Sequence, residues 1–181
     1  MADVFSAILK KLDTQEPPSG QMRQAAVSMM LKEMEAPSVL LIKRADREGD
    51  PWSGQVAFPG GKAQEGDATL RETAIRETNE EVGIDLGTRA EFLGYFSTFR
   101  THTGTMDVVP AAFLMKDEVE VRTNDEVASY RWVKLERLLS GEAKSAYRLE
   151  FGGQVREMPA LLVDDYVVWG LTHLIISTLL E

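Results

Sequence analysis

The sequence contains no cysteine. Disulfides, thiolate metal sites and cysteine nucleophiles are therefore excluded, and the absence fits a cytoplasmic location. Positive charge is scarce: 20 lysines and arginines stand against 29 aspartates and glutamates, a formal net charge of −9. Such a surface repels phosphate backbones, so no nucleic-acid partner and no membrane partner is expected. A small anion held by a local cation is still allowed. No apolar run is long enough to span a bilayer. The first residues, MADVFSAILKKLD, lack the basic segment and long apolar stretch of a signal peptide. Repeats, low-complexity tracts and linkers are also missing. Histidine occurs twice: His102, in RTHTGT, reads as a solvated loop residue, and His173, in a terminal apolar stretch, as a structural one.

What is present suits one globular domain spanning residues 1–181, because 44% hydrophobic content supports a sizeable core. MADVFSAILKKLD reads as an amphipathic helix ended by EPPSG, within an N-terminal segment 1–20. RQAAVSMMLKE and PSVLLIKRA, separated by EMEAP, read as paired strands in which one of Met29 and Met30 faces the core. A Gly/Pro-punctuated segment follows, with a short strand at Gln55 to Phe58, Phe58 being core. A helix is predicted from Leu70 to Val82, with a Thr69-x-x-Glu72 capping box at its start and Gly83 as its left-handed stop. AEFLGYFSTFR and TMDVVPAAFLM read as strands around a loop at 101–104. SYRWVKL reads as a strand, ERLLSG as a helical turn, and AYRLEFGGQVREMPAL as a hairpin turning at Gly152-Gly153. The stretch 164–181, DDYVVWGLTHLIISTLLE, reads as an apolar helix. This order predicts an α/β fold with a mixed sheet between helices.

One turn of the 70–82 helix carries most of the chemistry. In RETNEEVG, residues Glu77, Glu80 and Glu81 stand at i, i+3 and i+4 and share a helical face, with Ile75 and Val82 on the other side. Like charges at that spacing destabilise a helix by roughly 0.2–0.5 kcal/mol per pair. A divalent cation reverses the sign, and Mg²⁺ prefers a few carboxylates plus substrate phosphates. The plain alternative is a solvated acidic face offset by Arg71 and Arg76, with Glu72 and Glu80 each four residues from Arg76. Upstream, AFPGGK supplies two adjacent glycines that allow close approach of backbone to a metal or phosphate.

The string GGKAQEGDATLRETAIRETNEEVGI, Gly60 to Ile84, resembles the Nudix box. Gly61 is followed by five residues and then Asp67 in place of the family's Glu. Eight residues, not seven, lead to Arg76, and Thr78 occupies an apolar position. The Arg-Glu-x-x-Glu-Glu-x-Gly core is intact. The resemblance implies a Nudix-type α/β/α sandwich that hydrolyses a diphosphate linked to another group, with Mg²⁺ or Mn²⁺ as cofactor. By position it implies metal ligation by Glu77, Glu80, Glu81 and the Gly60 carbonyl. Arg76 would hold the carboxylates, and Asp67 would anchor the loop. The resemblance leaves the general base to either a box glutamate or an acid from a later loop; Glu126, in TNDEVASYRW, resembles that later acidic position, with Asp125 and Glu118 as rivals.

LLIKR, GQVAFPGGK, the Asp67 spacing, TAIRET and VWGLTHLI are further similar to the coenzyme A pyrophosphatase branch. Ile42 stands where that branch has Thr, the stretch between Ala45 and Gly54 is one residue longer, and Gly49 occupies the second Arg position. The implied partner is a small-molecule nucleoside diphosphate derivative, coenzyme A or a relative of it. ADP-ribose, other nucleoside diphosphate sugars and nucleoside triphosphates are the alternatives, and a silent ligand sensor is a further one. Arg44, Arg47 and Lys62 are candidate phosphate contacts, since cations must stand near a polyanion on an acidic protein. Trp52 is a candidate for stacking on an adenine. The resemblance also admits a homodimer, an assembly common in the family.

Overall fold

The computed structural model describes residues 2–18, 23–33, 36–50, 52–151 and 154–180. Its centre is an eight-stranded mixed sheet. Strands β1 (Arg23–Lys32) and β2 (Ser38–Arg44) pair antiparallel only at Leu31↔Val39 and Lys32↔Ser38. The two strands then part, and the segment after β2 fills the gap. Its β3 (Val56–Ala57) pairs with β2, and its β4 (Gly60–Lys62) pairs with β1 through Ala25↔Lys62, Ala26↔Gly61 and Val27↔Gly60. This wedge determines where the functional loop sits.

Helix α2 (Leu70–Val82) and the short α3 (Leu86–Arg89) follow, then β5 (Ala90–Tyr95), β6 (Phe99–Arg100) and β7 (Met106–Met115). Strand β7 runs parallel to β1 and antiparallel to β5 and β6. Strand β8 (Val127–Lys134) closes the far edge of β2, and helix α4 (Leu135–Leu139) turns away from it. Strands β9 (Lys144–Phe151), β10 (Gln154–Val163) and β11 (Tyr166–Trp169) form a three-stranded antiparallel sheet. Helix α5 (Gly170–Leu180) ends the described chain.

Both faces of the large sheet are covered. One apolar cluster joins Leu40 and Ile42 of the sheet to Leu70, Ala74 and Val82 of α2. The other joins Leu41 and Val39 to α1 (Ala2–Leu9), α5 and the small sheet through Ile8, Ile175, Leu161 and Tyr166. Met29 and Met30 are therefore both fully buried, one in each cluster, rather than one alone. A sheet sandwiched on both sides makes both parities of a strand apolar.

Three sequence expectations change. The apolar helix begins at Gly170, not at 164. Tyr166–Trp169 is a strand joined to β10 through a two-residue turn at Asp164-Asp165, with Asp164 left-handed at φ 57°. Its β-branched and aromatic residues suit a sheet, and an apolar run alone does not separate strand from helix. Helix α1 ends at Leu9, well before EPPSG, because Asp13 bridges to Tyr95 of β5 and pulls the chain into extended form. The Gly/Pro-punctuated segment holds a second short strand beyond the expected one, GGK forming β4. The Gly152-Gly153 turn lies outside the described residues, while its flanking strands pair from Phe151↔Gln154 to Lys144↔Leu161.

Candidate active site

Helix α2 is capped at both predicted ends, except that the Glu72 half of the capping box serves the Ala68 amide instead of that of Thr69. Thr69 accepts from the Glu72 amide at 3.1 Å, and Gly83 takes φ 69° with its N–H donating to the Asn79 carbonyl. Glu72 accepts from the Ala68 amide at 2.7 Å, so it serves the cap and does not pair with Arg76. A second acid, Glu16, reaches in from the chain after α1 and accepts from the Leu70 amide at 2.6 Å and from the Tyr95 hydroxyl.

The loop before α2 is fastened by Asp67. Its carboxylate accepts from Arg76 Nε and Nη2 at 3.0 and 2.8 Å, from Thr73 at 2.9 Å and from the Gln64 amide at 3.0 Å. The Asp67 side chain is 8% exposed. The Arg76 guanidinium beside it holds its carboxyl well below the usual range, against the opposing effect of burial. Arg76 also donates to the Lys62 carbonyl at 3.0 Å and to Glu77 at 2.7 Å, while Glu80 stands 3.5 Å away. Arg76 thus joins Asp67 and the loop carbonyl of Lys62 to Glu77 on the helix.

The three glutamates do not share one open face. Glu80 is 54% exposed, whereas Glu81 is 4% exposed and accepts from the Gly60 amide at 2.9 Å. The wedge segment folds over Glu81. Burial pushes its carboxyl up to about 7, with Glu77 and Glu126 adding to the shift and the Gly60 N–H and Arg44 opposing it. Glu77 lies against the next residue: a Cβ on Gly61 would meet the Glu77 carboxylate at 2.5 Å. Gly60, at φ 152°, has no room either, since a Cβ there would meet the Ala26 carbonyl at 2.3 Å. The two glycines thus let one strand approach another and leave space for a carboxylate.

Across the site, loop 122–126 is stitched to the end of α2. The Asn124 amide donates to the Glu81 carbonyl at 3.0 Å, and the Asn124 side chain accepts from the Glu126 amide at 2.9 Å. Glu126 is thereby brought near enough to Glu81 to raise its pKa. Its carboxylate pairs with Arg47 at 3.4 Å. Arg44 pairs with Asp50 at 3.0 Å, and its buried Nε has no partner among the described residues. Asp50 is held below its usual pKa by the Trp52 amide and by Arg44. The Trp52 side chain is 52% exposed. The Lys62 side chain is exposed and makes no ion pair among the described residues. Of the rival bases, Asp125 is exposed, and Glu118 pairs with Lys32 at the far end of β1 from Gly60. His102 is exposed, and His173 is lowered by burial in α5.

Among the described residues no three acidic or histidine side chains already enclose an ion-sized space. The donor set nevertheless fits a hard divalent cation. A buried carboxylate, a second one beside it and a close backbone segment are oxygen donors of the kind such a cation takes, and burial, the main cause of the raised pKa of Glu81, disfavours its charge in the absence of a nearby cation.

Two residues had no functional reading in the sequence. Thr78 and Ser28 are fully buried, and Thr78 Oγ1 donates to Ser28 Oγ at 2.7 Å. The only sequence signal was a hydroxyl at an apolar position of the box.

The mixed sheet covered on both faces, with a glycine pair set against a glutamate-bearing helix, is the architecture of the Nudix fold. Residues 22–150 match the NUDIX domain family, and the chain belongs to it: it is a Nudix hydrolase. An uncharacterized Nudix hydrolase NudL of Yersinia enterocolitica is 30% identical over 98% of this chain and 92% of its own length. A NudL of Yersinia pestis is 32% identical over 90% and 81%. A MutT/nudix family protein of Enterococcus faecalis has the same fold at TM-score 0.55 and 19% identity, covering 97% of this chain and 66% of its own. The NUDIX domain of Shewanella oneidensis NrtR, complexed with ADP ribose, gives TM-score 0.52 at 20% identity over 68% and 79%.

Proposed function

We propose that this Nudix hydrolase is a divalent-cation-dependent pyrophosphohydrolase of nucleoside diphosphate derivatives, with coenzyme A or a derivative as its substrate. The observation that carries the reading is the placement of Glu77 and Glu81 against Gly60-Gly61. Glu77, Glu81, Glu80 and the Gly60 carbonyl are the ligands proposed for Mg²⁺ or Mn²⁺. When bound, such a cation neutralises diphosphate oxygens and lowers the pKa of water. Arg76 keeps Glu77 in place while Asp67 keeps Arg76 in place. Glu126 is the proposed general base: it is accessible and adjacent to the buried carboxylate. Arg44, with its unpartnered Nε, and Arg47 would receive substrate phosphates, Lys62 would add charge, and Trp52 would take an aromatic base. Phosphoryl-type transfer needs positioning and charge stabilisation rather than a covalent residue.

Coenzyme A is favoured over its relatives by the LLIKR, GQVAFPGGK and VWGLTHLI similarities. Its hydrolysis would give 3′,5′-ADP and 4′-phosphopantetheine. A panel of coenzyme A, ADP-ribose, nucleoside diphosphate sugars and nucleoside triphosphates, each with Mg²⁺ and Mn²⁺, tests this. Coenzyme A should have the highest kcat/KM. Equal or faster turnover of ADP-ribose removes the coenzyme A reading, and binding without turnover of anything would leave a sensor.

A further inference from the structure

We propose that Ser28 and Thr78 are positioning residues whose buried hydroxyl pair fixes the separation between Glu77 and Glu81 on α2 and the Gly60 loop, and so sets cation affinity. The inference rests on the cation-binding reading above. Valine would fill the Thr78 site with the same shape and no polar atom, and a buried hydroxyl is costly unless paired. Here it is paired: Thr78 Oγ1 donates to Ser28 Oγ at 2.7 Å, and Ser28 Oγ donates to the Ala74 carbonyl at 3.1 Å. Ser28 thus binds two successive turns of α2.

The same residue binds the loop. The Ser28 amide donates to the Pro59 carbonyl at 2.7 Å, and the preceding Val27 is the register partner of Gly60. One strand residue therefore holds Pro59, directly before the proposed backbone ligand Gly60, through its main chain and the helix of the proposed carboxylate ligands through its side chain. Thr78 sits directly after Glu77 and three residues before Glu81. Apolar packing between α2 and β1 would tolerate small rotation of the helix. A directional hydroxyl chain does not, because hydrogen bonds weaken steeply off axis. Groups hydrogen-bonded directly to metal ligands are worth roughly 10- to 100-fold in metal affinity, and this pair, acting through the helix and the loop, falls at the low end of that range.

The test is Mn²⁺ binding to the chelator-treated full chain by calorimetry, with melting temperature in parallel. Thr78→Val keeps shape and removes the donor, Thr78→Ser keeps the donor and loses a buried methyl, and Ser28→Ala removes the node. We expect Thr78→Val and Ser28→Ala to bind Mn²⁺ about tenfold more weakly. Thr78→Ser should bind like the wild type although its melting temperature falls. That crossing of affinity and stability is not the signature of a purely structural pair. Wild-type affinity in Thr78→Val, or affinity that simply follows melting temperature, overturns the inference. A wild-type chain that binds no Mn²⁺ removes the cation reading itself, and the inference with it.

Discussion

Asp67, half-buried, and Glu81, buried, are carboxylates in the glycine loop and helix of one motif, yet their environments push them in opposite directions. Asp67 meets a bidentate guanidinium, a hydroxyl and an amide, so its charge is fully answered inside the chain. Glu81 meets one amide, a more distant arginine and two other acids. One end of the site is electrostatically complete and the other is left short of positive charge. Buried charges are normally paired or coordinate metals. On the function proposed above, the first end is scaffolding and the second carries the chemistry.

The largest expected effect breaks the second end. Glu81→Gln should lower kcat by about a thousandfold, because it removes charge from the proposed cation site. The apo fold should survive, since a glutamine oxygen can still accept from the Gly60 amide. Turnover within tenfold of wild type at saturating metal would disconnect Glu81 from the chemistry.

The next effect is on stability without metal. The folded pKa of Glu81, about 7, lies above its unfolded value of 4.5. The native state therefore holds this proton more tightly. The contribution is fully present below pH 4.5 and is lost as pH rises through 7. Between pH 4.5 and 8 the chelator-treated protein should lose on the order of 3 kcal/mol from this group. Urea unfolding at several pH values, compared with Glu81→Gln, isolates it. Parallel profiles for the two proteins would show that Glu81 is not desolvated in solution.

The asymmetry was only half legible in the sequence. The capping box, the Gly83 stop and the Asp67 anchor are local, and local chemistry can be read from spacing. The burial of Glu81 is not local. Helical spacing places it beside Glu77 and Glu80 on a polar face, but the wedge at 56–62 between β1 and β2 covers it. Thr78 likewise looked like a flaw in an apolar position until Ser28, fifty residues away in sequence, was seen to face it. The strand at Tyr166–Trp169 reads as helix in the sequence because its apolar residues continue into α5, and only the left-handed Asp164 turn and pairing with β10 separate them.

The smallest effect concerns the complete end. Asp67→Asn replaces a charged acceptor of two Arg76 donors with a neutral amide. Hydrogen bonds to charged groups are worth about 1.5–3 kcal/mol, so a loss of roughly 2 kcal/mol in unfolding free energy is expected at pH 7. The sign with pH is opposite to that of Glu81. The folded pKa of Asp67 lies below its unfolded 3.8, so its stabilisation is present above that value and is lost as pH falls toward the folded one. The acid limb of the stability profile should therefore flatten in Asp67→Asn while the limb between pH 4.5 and 8 stays as in wild type. Turnover should drop only a few-fold, because Arg76 keeps Glu77 and the Lys62 carbonyl as partners. A loss of activity as deep as that of Glu81→Gln would mean that the two ends are not separable and that the Asp67 clamp takes part in the chemistry directly.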